Sequence, residues 1–86
     1  MASRPDPDGR TDLETFGERL FLVRRRRGMG QAELARLAGI SVAALSKYER
    51  GLRDPQGVVI AALAVALGVS ADYLLGLRHN PDPHRP

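Results

Sequence analysis

The 86-residue chain contains no cysteine and no tryptophan, and only two phenylalanines and two tyrosines. Without cysteine, a disulfide framework, a thiolate zinc site and a cysteine nucleophile are all excluded, and an intracellular setting is expected. Aromatics at 5% against 43% hydrophobic residues leave Leu, Ala and Val to build any core, which favours helices over sheet. No segment alternates polar and apolar residues as a half-buried strand would, and there is no internal repeat. The apolar run VVIAALAVAL at 58–67 falls far short of the roughly 18 residues of a membrane span. The opening MASRPDPDGRTD has Pro, Asp and Gly where a secretory signal carries an apolar stretch. The expectation is a cytoplasmic protein with no membrane association. A chain this short buries roughly 60 to 65% of its unfolded surface, which suits one small domain and excludes a two-domain enzyme.

The net charge of +3 conceals a strong asymmetry. Residues 1–18 carry two Arg against five acids, whereas residues 19–53 carry nine Arg or Lys against Glu33 and Glu49, a net of +7. Residues 54–76 hold only Asp54 and Asp72. The run RRRR at 24–27 by itself is equally a solvated helix face. Because Arg36, Lys47, Arg50 and Arg53 extend the same sign across later segments, a nucleic-acid partner is the better reading.

Residues 1–11 are polar and rich in Pro and Asp, the composition of a disordered arm. A single domain is expected over 12–76, followed by a flexible tail over 77–86. Both Thr11-Asp-Leu-Glu14 and Thr15-Phe-Gly-Glu18 have capping-box spacing; Thr15 is favoured as the start of a first helix, with Phe16, Leu20 and Val23 as its core stripe and Gly28 as its stop. The second helix spans Gln31 to Ala38 and turns at Gly39. Ser41 caps a third, Val42 to Arg50, which Gly51 ends. Asp54-Pro55 predicts a fourth from Pro55 to Leu67, since Pro suits the first helical position. Ser70 caps a short fifth, Ala71 to Leu75. The fold class is therefore all-α, a compact five-helix bundle.

Features that would suggest catalysis or a cofactor are weak. The GMG at 28–30 lacks the third glycine of a nucleotide-binding loop and follows a helix. His79 and His84 lie in the Pro-rich tail without acidic or Cys partners at ligand spacing, so no metal is expected. With four serines and no ordered histidine, a hydrolase triad cannot be assembled. No cofactor and no enzymatic activity are expected.

The informative segment is QAELARLAGISVAALSKY, Gln31 to Tyr48. Two helices that cross over a three-residue turn need a small residue where they approach, a glycine in the turn, and apolar residues in the angle. Ala35, Gly39, and the set Leu34, Ala38, Ile40, Leu45 and Tyr48 fill those roles, which is a helix-turn-helix pattern. Over residues 16–75 the chain resembles the phage-repressor and Cro-type helix-turn-helix family (Xre-like regulators), with GQAELARLAGIS, ERG and ALGVS in matching order and spacing. The resemblance implies a lambda-repressor-like DNA-binding domain that binds a near-palindromic site as a dimer, with helix three in the major groove.

Carried onto this sequence, the resemblance implies that the Gln31 amide bonds a phosphate and that Ser41 to Lys47 face bases and backbone. It further implies phosphate or minor-groove contacts for Arg50 and Arg53, and an internal ion pair between Arg24 and Glu49. The residues themselves agree in part, because the exposed positions early in helix three are Val42, Ala43, Ser46 and Lys47. They depart from the Gln, Asn, Arg or Ser of the family's better-known readers. Val42 and Ala43 can only meet a thymine methyl or let the helix sit close to the groove floor, which leaves Lys47 as the long donor.

Helix four has no polar residue on any face between Val58 and Leu67. Val59, Ile60, Leu63 and Leu67 are expected in the core, leaving Val58, Ala62, Val65 and Ala66 outward. With Tyr73, Leu74, Leu75 and Leu77, Val58 and Val65 form the candidate interface of a homodimer. The expected function is a sequence-specific repressor of transcription. The alternative is an antitoxin or similar protein-interaction module that uses helix 55–67 and binds DNA secondarily.

Overall fold

A computed structural model describes residues 15–77. The described residues form five helices and no strand: α1 (Phe16–Arg26), α2 (Gln31–Ala38), α3 (Val42–Glu49), α4 (Gly57–Leu67) and α5 (Ala71–Leu74). The expected arm over 1–11, the Thr11 alternative for the first cap, and the tail from residue 78 with His79 and His84 lie outside the described residues.

Local chemistry sets most helix ends. The Thr15 hydroxyl accepts from the Glu18 N–H at 3.2 Å while Glu18 Oε1 accepts from the Thr15 N–H at 2.8 Å, a reciprocal capping box. Ser41 and Ser70 cap α3 and α5 in one direction only, each accepting from the N–H three residues on at 3.0 Å. The turns after α2 and α4 share one device. Gly39 and Gly68 adopt left-handed backbone, φ 74 and 73, and the next residue's N–H reaches back to Ala35 O or Ala64 O at 3.0 Å. That next residue is apolar in both turns: Ile40 packs half-buried on the core and Val69 is buried.

Two helix boundaries differ from expectation by one residue and one by two. Arg50 and Leu75 are C-caps, so α3 ends at Glu49 and α5 at Leu74. The start of α4 is the larger correction. Gln56 is its N-cap, with extended backbone at ψ 162 and no side-chain cap bond, so Pro55 stands before the helix and Asp54 does not cap it. The non-helical stretch from Arg50 to Gln56 carries the chain from the end of α3 to the start of α4. That path outweighs the local preference for Pro at a first helical position.

Each helix contributes one leucine with essentially no exposure: Leu20, Leu34, Leu45, Leu63 and Leu74. At roughly 1.5 to 3 kcal/mol for each buried leucine, these five supply a large share of the hydrophobic stabilisation. Val23, Ala35, Tyr48, Ala64, Leu67 and Val69 complete the core. The α2 helix rests on both α3 and α4, α1 lies against α3 and α5, and α4 packs on α2 and α5, so the apolar α4 supports the helix-turn-helix pair through α2. Val59, Ile60 and Ala62 are half-buried, as is Ala66, which packs against the core with Val59. The fully exposed side of α4 is thereby reduced to Val58, Ala61 and Val65.

Candidate nucleic-acid interface

The position of α3 is fixed by a polar cluster around its last residue. Glu49 Oε2 accepts from Arg24 Nε at 2.6 Å, and Oε1 accepts from Arg24 Nη2 at 3.1 Å and from Gln31 Nε2 at 3.0 Å. Arg24 Nη1 also donates to the Met29 carbonyl at 2.9 Å. Four segments, α1, the α1–α2 turn, α2 and α3, are tied at one point. Both charged side chains are nearly enclosed, at 8% and 4% exposure, so their attraction offsets a large desolvation cost and chiefly fixes geometry. The ion pair expected from the resemblance is present.

Gln31 occupies the expected place at the start of α2, but one amide N–H is engaged by Glu49, leaving the other N–H and the amide oxygen for a ligand. Three details of this cluster are absent from the sequence-based expectations, and only the third had a signal in the sequence. The Gln31 bond and the Met29 carbonyl have no motif. The Phe21 ring, with the Arg24 and Arg25 guanidiniums 5.3 and 5.6 Å from its centroid, was signalled by the three- and four-residue spacings.

Helical periodicity and burial separate the two sides of α3. Leu45, Tyr48 and Glu49 face inward, while Val42, Ala43 and Lys47 are exposed and Ser46 is half-buried beside them. Ser41 is exposed at the N-cap, and Arg50 and Arg53 are exposed just past the helix. The expected set thus lies on α3 and its two ends, with Gln31 reaching it through Glu49. Over residues 31–53 the exposed charges are Arg36, Lys47, Arg50 and Arg53 against Glu33 alone, because Glu49 is buried against Arg24. This is a positive surface with an apolar first turn. Among the described residues no cluster of His, Cys, Asp or Glu is arranged to hold a metal ion.

The candidate self-association surface is brought together only in part. Val58, Val65 and Leu77 are strongly exposed, at 75, 82 and 72%. Tyr73 is half-buried: its hydroxyl accepts from Arg26 Nη1 at 3.4 Å, and the Arg19 guanidinium lies 5.9 Å from its ring centroid. Leu74 is a correction. It is wholly buried within its own chain and cannot meet a partner, whereas its neighbour Leu75 is 44% exposed. No described helix is long and apolar enough to cross a membrane.

Among the described residues, five helices around one leucine-rich core, with α2 and α3 joined by a glycine turn and exposed cations at and beyond the end of α3, define a helix-turn-helix domain of the repressor type. The chain belongs to the helix-turn-helix family, which it matches over residues 20–74. Repressor protein C2 of Salmonella phage P22 is 39% identical over 64 residues, 74% of this chain, which spans 30% of that protein's length. The uncharacterized HTH-type transcriptional regulator YazB of Bacillus subtilis is 38% identical over 63 residues, 73% of this chain and 91% of YazB. The crystal structure of the P22 c2 repressor in complex with a synthetic operator superposes with a TM-score of 0.69 at 38% identity, covering 74% of this chain and 97% of that one.

Proposed function

We propose that this protein is a sequence-specific repressor of transcription that acts in the cytoplasm, binds duplex DNA as a homodimer and places α3 in the major groove of a near-palindromic operator. The observation that carries the reading is the outer side of α3: cationic at its far end and beyond, and held in fixed orientation by the buried Arg24–Glu49 pair. Similarity to a repressor crystallised on its operator supports it. Ser41, Ser46, Lys47, Arg50, Arg53 and the free part of the Gln31 amide supply phosphate and base contacts, and Val42 and Ala43 allow close approach. Two subunits read two half-sites about one turn of DNA apart, joined through Val58, Val65, Tyr73, Leu75 and Leu77.

The test is a binding titration across salt concentrations, using duplexes selected by the protein from a random pool. Four phosphate contacts per subunit give a slope of log K against log salt near −7, at roughly 0.9 per phosphate. A slope shallower than about −2 would overturn the electrostatic reading. A second reading is favoured by the exposed Val58–Ala61–Val65 stripe of α4, which is equally suited to a different protein, as in an antitoxin. A monomer in sedimentation that recovers a dimer's operator affinity only with a co-purifying protein would select it.

A further inference from the structure

Independently of the DNA-binding reading above, the geometry points to a binding site for a small aromatic carboxylate in a cleft between the end of α1 and the α4–α5 turn. The cleft has a volume of about 250 Å³ and is lined by Val23, Arg26, Arg27, Val69 and Tyr73. Val23 belongs to the inner stripe of α1, Arg26 ends that helix and Arg27 is its C-cap. Val69 follows the left-handed Gly68, whose turn brings it back onto the core, and Tyr73 lies on α5.

The floor is apolar and the rim is cationic. Val23 and Val69 are nearly enclosed, whereas Arg26 and Arg27 are exposed, and no acid lines the cleft. Arg26 gives one N–H to the Tyr73 hydroxyl in a long bond of 3.4 Å, and the Arg27 side chain has no partner among the described residues. Most of the donors on the two guanidinium groups are therefore left for an external acceptor. The carbonyls at the end of α1 oppose an anion with roughly half a charge, which two full positive charges outweigh. A guanidinium fork matches the two oxygens of a carboxylate. Two valines and a half-buried phenol ring match a flat apolar body better than a second polar group. The volume lies below the roughly 300 to 1,000 Å³ of drug-sized sites, so a single ring fills it. Arg26 follows Arg24 by two residues, about 200° around the helix, and Arg24 points at Glu49 of α3. A ligand in the cleft thus leaves the outer side of α3 uncovered.

The probe is benzoate, titrated into the isotope-labelled full chain at constant pH and ionic strength and followed by amide chemical shifts. Benzamide supplies the ring without the charge, and acetate the charge without the ring. The expected result is saturable shifts concentrated at the cleft residues, with a Kd of about 1 to 10 mM, as suits a ligand of about nine non-hydrogen atoms. Benzamide and acetate should each bind at least about tenfold more weakly, for want of the charged bond or of the apolar contact. Arg26→Gln and Arg27→Gln should each weaken benzoate about fivefold or more. Arg25→Gln makes the same change of charge at a guanidinium that lies over the Phe21 ring, outside the cleft, and should leave the affinity within about twofold. All three variants replace exposed side chains, and circular dichroism checks that they are folded.

Acetate binding as tightly as benzoate would overturn the inference, because charge alone would then suffice. Benzamide binding as tightly would overturn it too, because the arginines would then play no part. A loss in Arg25→Gln equal to that in Arg26→Gln, or shifts scattered over the α3 surface, would mean diffuse attraction to a cationic protein and no site in the cleft. The absence of any saturable shift would likewise refute it, and none of these outcomes bears on whether α3 binds DNA.

Discussion

The α1–α3 half and the α4–α5 half of the molecule close their turns with the same device, a left-handed glycine followed by an apolar residue, yet hold together by different forces. The first half is organised around the buried polar cluster of Arg24, Gln31, Met29 O and Glu49. The second has no polar side chain on α4 and relies on Leu63, Ala64, Leu67, Val69 and Leu74. Hydrogen bonds have direction, so a polar knot sets one angle between helices, whereas apolar contact tolerates small repacking. The half that must present a surface to a ligand is the half fixed by directional bonds. The half that supports it needs only volume.

The sharpest way to break this comparison is Glu49→Ala. It leaves the Arg24 guanidinium buried without its counter-charge and strands the Gln31 amide, so a loss of about 3 to 5 kcal/mol is expected in urea unfolding. Replacing both partners, Arg24→Met with Glu49→Leu, should recover most of that stability. If DNA affinity nevertheless stays low in the double variant, the pair serves geometry; if affinity returns in full, that role is refuted.

A second test concerns where α1 and α3 of the polar half touch. A Cβ added at Gly17 would sit 2.4 Å from the Tyr48 carbonyl oxygen and 2.7 Å from that of Glu49, backbone atoms that cannot rotate aside. Alanine ordinarily gains about 1 kcal/mol over glycine inside a helix. Here the overpacking cost, at the upper end of about 1 to 3 kcal/mol or above, should outweigh it. A Gly17→Ala variant as stable as the parent in thermal unfolding would mean that α1 and α3 can part without penalty.

Lys47→Ala tests the surface rather than the scaffold. The side chain is exposed, so the unfolding free energy should change by less than about 0.5 kcal/mol. Operator binding should weaken by about 1 to 3 kcal/mol, with relaxed preference at one base pair per half-site. Arg53→Ala should lower affinity for all duplexes alike. Competition assays in which the two variants exchange these behaviours would reassign the contacts.

The smallest effect on folding belongs to the apolar half. Val65 is 82% exposed, so Val65→Asp should leave stability within about 0.5 kcal/mol. The same charge would be desolvated in a two-fold interface, and sedimentation should show monomers. A Val65→Asp protein that remains dimeric would place self-association away from α4.

Much of this architecture is legible in the sequence. The Thr15 box, the Ser41 and Ser70 caps and the glycines at 39 and 68 act over three to five residues, and each did what its spacing predicted. The outward set on α3 followed from the helical period once Leu45 and Tyr48 were assigned inward. The Asp54-Pro55 signal, equally local, failed because the connection from α3 to α4 needed extended backbone through Gln56.

By itself, then, the sequence determined the five helices of the described residues, most of their ends, the family and the cationic stretch, since these depend on caps, periodicity and charge order along the chain. Tertiary structure alone decided which residues of the apolar half are free and which partners the polar half chooses. Leu74 and Leu75 are adjacent leucines, one sealed in the core and the other exposed at the surface. On α4, Ala62 and Ala66 share the outward side expected with Val58 and Val65, yet both are half-buried in the fold. On a helix apolar throughout no pattern marks the inner side, and only the position of helices distant in sequence does. The Gln31 amide likewise meets Glu49, 18 residues away, because folding brings the start of α2 to the end of α3.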